Sequence, residues 1–60
     1  MAAYKENPET FLEALHNCFV TTCAIQYFIS RKDYDATQLE INTLEKNIIT
    51  LREKLTELTQ

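Results

Sequence analysis

The stretch INTLEKNIITLREKLTEL, residues 41–58, decides the fold. Ile41, Leu44, Ile48, Leu51, Leu55 and Leu58 recur at alternating spacings of three and four, filling the a and d positions of three heptads without an error. Such a pattern is a helix with one apolar seam. Just upstream, Asp35 and Gln38 form a capping-box-like start, so this second helix is expected over residues 36–60. Ile at a with Leu at d favours two-stranded coils, while Leu55 at the third a position and the neighbouring Ile49 broaden the stripe.

Asp33-Tyr34-Asp35 is the expected break, residues 33–35, between that helix and an earlier one. No glycine marks the end of the first helix, so one nearly continuous helix is the rival arrangement. Asn7-Pro8-Glu9 reads as a helix start, with an Asn cap, Pro at the first helical position and an anion at the positive end of the dipole. The first helix is therefore expected over residues 8–32, ending at Arg31-Lys32, with residues 1–7 as a flexible arm. Phe11, Leu15, Cys18, Ile25 and Ile29 form its seam, with Thr22 filling the gap. Two helices of matched length and a short polar connection predict an all-α, antiparallel two-helix hairpin with a coiled-coil seam, a single domain of 60 residues.

Charge separates the halves. None of the residues from Ala14 to Ile29 is charged, yet Phe19, Val20, Ala24, Tyr27 and Phe28 lie off the seam. A helix apolar on most of its circumference is normally surrounded, and one partner helix covers only one side. A chain of 60 residues also buries only ~60% of its unfolded surface, so stability on its own is marginal. Assembly with copies of itself, as a dimer or tetramer, resolves both problems. Phe11, Leu15, Cys18, Phe19, Ile25, Phe28 and Ile29 are the expected oligomer core.

Composition removes other classes. With 25% charged residues, six Lys and Arg against nine Asp and Glu and a net charge of −3, long nucleic acid is an unsuitable partner. The absence of glycine excludes small β-barrels and nucleotide-binding α/β units. The uncharged stretch Ala14–Ile29 is short of a bilayer span and contains His16, Asn17, Thr21, Thr22 and Gln26, so no membrane is expected. No secretory signal is visible, and two thiols without a framework suit a reducing cytoplasm.

Chemistry-bearing residues are few. Cys18 and Cys23 stand about 140° apart on a helix, too far to share a metal or a disulfide within one chain. They read as small buried hydrophobes. His16 and Cys23 share a face that only an oligomer axis could turn into a zinc site. Cys23 as a nucleophile lacks the electropositive surroundings that lower a thiol pKa. Glu9 and Glu13 serve the helix dipole better than acid–base work. No cofactor, metal or catalysis is expected. Tyr4 and Lys5 on the arm, with Arg31, Lys32 and Tyr34 at the turn, are the one set resembling a ligand site, since two aromatic faces and three cations suit a base and a phosphate. Antiparallel protomers would bring one chain's arm to its neighbour's turn. Asn42, Thr43, Asn47, Thr50, Thr56 and Thr59 add a polar edge that can dock a partner through hydrogen bonds.

Two functional expectations follow. The first is a non-catalytic homo-oligomer that sequesters a protein partner, as an adaptor, chaperone or inhibitor of the kind bacteria and viruses encode. The alternative is an oligomeric sponge that holds a small anionic ligand, such as a signalling nucleotide, between protomers.

Overall fold

The computed structural model describes residues 4–60, so the first three residues of the expected arm lie outside it. Helix α1 spans Phe11–Ser30 and helix α2 spans Tyr34–Thr59. They pack against each other as a hairpin, with no strand among the described residues. The continuous-helix alternative is thereby set aside.

Both α1 ends differ from the expectation, for local reasons. Thr10 is the N-cap instead of Asn7. Its hydroxyl accepts from the Glu13 amide at 3.1 Å, and the Glu13 carboxylate accepts from the Thr10 amide at 3.3 Å and from the Glu9 amide at 2.8 Å. This reciprocal box satisfies several orphan donors together, whereas Asn7 has Thr10 at its third helical position and no carboxylate to return the bond. Pro8 is left ahead of the helix.

At the other end, Lys32 takes the left-handed conformation at φ 60°. The Lys32 amide donates to the Ile29 carbonyl at 3.0 Å and the Asp33 amide to the Phe28 carbonyl at 3.0 Å. That pair of bonds is a Schellman closure made without glycine. The turn is therefore Arg31–Asp33, two residues earlier than expected, and Asp33 rather than Asp35 caps α2. Its side chain accepts from the Ala36 amide at 3.1 Å. Gln38, read as the partner of Asp35, instead donates to Asn42 Oδ1 at 3.2 Å.

The line of contact between the helices is largely polar. On α1 the buried residues are Ala14, Asn17 and Thr21; on α2 they are Thr37 and Asn47. Half-buried Ala24 and Phe28 continue the first row, and Glu40, Leu44, Leu51 and Lys54 continue the second, both at spacings of three and four. Asn47 Nδ2 donates to Thr21 Oγ1 at 2.8 Å, and Thr21 Oγ1 donates to the Asn17 carbonyl at 2.7 Å. Asn47 Oδ1 accepts from Tyr4 OH at 2.9 Å. Asn17 holds the arm as a backbone clamp: its Oδ1 accepts from the Lys5 amide at 2.8 Å and its Nδ2 donates to the Lys5 carbonyl at 2.7 Å. No buried side-chain polar atom among the described residues lacks a partner, so these groups are tolerated inside. The arm, expected to be free, is pinned to both helices at Tyr4 and Lys5.

The heptad stripes consequently do not meet. Leu44 and Leu51 alone belong to both the stripe of α2 and its buried row, while Ile41, Ile48, Leu55 and Leu58 are exposed. Small Ala and Thr residues and satisfied Asn side chains bring the backbones together, which frees the apolar stripes to face outward.

Candidate interaction surface

At 100° per residue, the α2 stripe lies about 40° round from the row that touches α1, and the α1 stripe about 100° round from the row that touches α2. Both rotations run in the same sense along the sequence. Because the helices are antiparallel, equal senses carry both stripes to the same side of the hairpin. Leu15, Cys18 and Ile25 therefore stand beside Ile41, Ile48 and Leu55 on one uncharged face. Leu12 and Phe19, at 73% and 61% exposure, lie beyond its edge on the side of α1 turned away from α2. A shallow groove there is lined by Leu12, Leu15, His16, Cys18, Phe19 and Thr22.

The arm lies on the opposite side. Tyr4 lines a groove of about 330 Å³ with Val20, Thr21, Glu40 and Thr43, residues rotated away from the stripes. Lys5 Nζ reaches Glu13 Oε2 at 2.8 Å. Lys5 and the Glu9 amide hold the Glu13 carboxyl below its usual range, and Glu13 in turn holds the Lys5 ammonium above its own.

The five residues considered for an anionic ligand are not one constellation within the chain. Tyr4 and Lys5 are engaged beside Thr21 and Asn17. The turn lies ten residues beyond Thr21, about 15 Å along α1. There Arg31 stacks on the Tyr27 ring, its guanidinium carbon 4.7 Å from the centroid, with Lys32 and Tyr34 exposed nearby. Phe28 of the expected oligomer core sits against α2 and crosses Tyr27 edge-on at 5.3 Å, whereas Phe11, Leu15, Cys18, Phe19, Ile25 and Ile29 lie on or beside the outward face.

The thiols sit in different places. Cys18 is half-buried on the apolar face, where burial pushes its pKa up, and Cys23 is exposed. The His16 ring stacks at a tilt beside Phe19, centroids 6.3 Å apart. Among the described residues no three His, Cys, Asp or Glu side chains gather as a metal group. No helix there is long and apolar enough to cross a membrane.

The threonines of α2 largely spend their hydroxyls at home: Thr43 donates to the Leu39 carbonyl and Thr56 to the Arg52 carbonyl. Asn47, counted with them as a docking edge, is instead an internal strut. Ala14, Asn17, Thr21 and Ala24 form a second heptad row of small and polar residues, a signal present in the sequence beneath the apolar one. Comparison with family models, with curated proteins and with solved structures finds no match.

Proposed function

We propose that this protein is a non-catalytic binding module that works as a homo-oligomer and acts by sequestering a protein partner. One observation carries the reading: the residues buried between the helices are Ala14, Asn17, Thr21, Thr37 and Asn47, while most of the large aliphatic side chains are exposed. Ala14 is the one buried hydrophobic residue among those described, while Leu15, Ile41, Ile48 and Leu55, which share the face of the two stripes, are exposed. An arrangement of this kind is a subunit of something larger, because contiguous apolar surface in water marks association. Helical surfaces joined this way recognise partners by laying apolar helix faces into grooves.

Light scattering on a sizing column at micromolar concentration tests it. The expected mass is at least twice the 7.0 kDa of one chain. A sharp peak at 7.0 kDa that also melts cooperatively would overturn the proposal.

A further inference from the structure

We infer that a second copy of this chain seats on the face carrying both heptad stripes, forming a two-fold four-helix bundle; this deepens the proposed homo-oligomer and rests on it. The bundle's core would hold Leu15, Cys18 and Ile25 of each α1 with Ile41, Ile48 and Leu55 of each α2.

Five features select this face and this occupant. The two sides differ among the described residues, since Tyr4 and Lys5 are hydrogen-bonded across the one opposite the stripes. The striped side has no charge along its centre and carries Glu45 and Arg52 at its α2 edge, the apolar-core, polar-rim anatomy of an association surface. The area also fits one more copy. A compact monomer of this mass exposes about 4,000 Å², and the hairpin exposes 4759 Å². A standard interface removes about 800 Å² per partner, which restores the surface to that of a compact protein. The chain's shape agrees: its radius of gyration is 12.5 Å, against about 10 Å for a compact chain of this length. Its Cα extents of 42 × 23 × 14 Å describe a slab one helix thick. Two slabs joined by their apolar faces make a layered core. The side chains involved suit the task because a stripe at a and d positions is self-complementary about a two-fold axis.

The two native cysteines report on the face without any substitution. Alkylation of the native protein over a dilution series is expected to find Cys18 protected at high concentration and modified faster as the protein is diluted. Cys23, outside the face, should react at a rate independent of concentration. Paired variants give the second reading: Ile48→Glu should weaken association roughly 100-fold or more by forcing a charge into the core. Ile49→Glu, one residue on and turned outward at 58% exposure, should leave it within about threefold. A protein that is monomeric at every concentration removes the homo-oligomer reading and this one with it. An oligomer in which Cys23 is the protected thiol, or in which Ile49→Glu dissociates and Ile48→Glu does not, removes only the assigned face. If Ile48→Glu loses its helical signal, the thiol series on the unaltered chain decides.

Discussion

The bond between Asn47 and Thr21 lies at the centre of the hairpin, and removing it tests whether polar groups hold the helices together or are merely tolerated there. Asn47 is 7% exposed and makes two bonds, donating to Thr21 and accepting from Tyr4. Truncating it to alanine removes both and leaves Thr21 Oγ1 with only its donor bond to the Asn17 carbonyl. Tyr4, exposed at 41%, can turn its hydroxyl to water. At about 1 kcal/mol per lost bond, Asn47→Ala should cost about 2 kcal/mol. Thr21→Val keeps the shape and strands one Asn47 N–H in a dry site, which should cost about 1–2 kcal/mol. Replacing both, as Thr21→Val with Asn47→Leu, leaves neither group unpaired and forfeits only the Tyr4 bond, so it should return to within about 1 kcal/mol of the parent. Urea unfolding followed by far-ultraviolet circular dichroism measures all of these. It must be run at one chain concentration, since the proposed association would add to apparent stability. If the double variant costs as much as its single changes together, or Thr21→Val is neutral, the helices are not joined by this bond in the way argued.

Two further predictions follow from the turn and the arm. Lys32 holds φ 60°, a conformation that costs a residue with a Cβ about 1 kcal/mol, so Lys32→Gly should raise the melting temperature by about 4–8 °C. An unchanged or lower melting temperature in thermal denaturation would show that the Schellman closure carries no strain. The Lys5–Glu13 pair sets a pH window for arm docking. Glu13, shifted down, contributes fully above its ordinary value and loses that contribution as pH falls through its folded value; Lys5, shifted up, loses its own only as pH rises through its raised value. Stability should therefore be flat through neutrality and decline in acid, with Glu13→Gln flattening the acid limb. A melting series from about pH 7 to about pH 2 with equal slopes in the two proteins would refute the assignment.

The helices were legible in the sequence because periodicity survives any packing arrangement. Their ends were less so. Asn7-Pro8 is a sound start by its own chemistry, and the Thr10–Glu13 box prevails because it satisfies more amides. The turn was hidden by the absence of glycine: a lysine in a left-handed conformation leaves no signature that composition reveals. The stripe Ile41–Leu58 was legible as a seam, but which surface it meets was not. An apolar stripe states that it must be covered and not by what. The row that α1 offers to α2 was written in weaker letters, as Ala14, Asn17, Thr21 and Ala24, because small and polar residues at helical spacing usually denote a solvated face. The arm was opaque for the same reason, since Tyr4 and Lys5 are fixed by Asn17 and Asn47, partners far away in sequence.

These features have a common physical origin. Two isolated helices of this length gain little from propensity alone and need tertiary burial to persist. This chain commits its small and polar positions to the internal contact, where hydrogen bonds require fixed geometry and so define one register between α1 and α2. Most of its large aliphatic positions stay exposed, available to the proposed external contact, where burial is less directional and contributes more per residue. The order matters. An Asn–Thr strut sets the helices side by side, and that setting alone turns two separate apolar stripes into one continuous face. Under the proposed assembly, loosening the Thr21–Asn47 register should weaken association even though neither side chain lies on the proposed face.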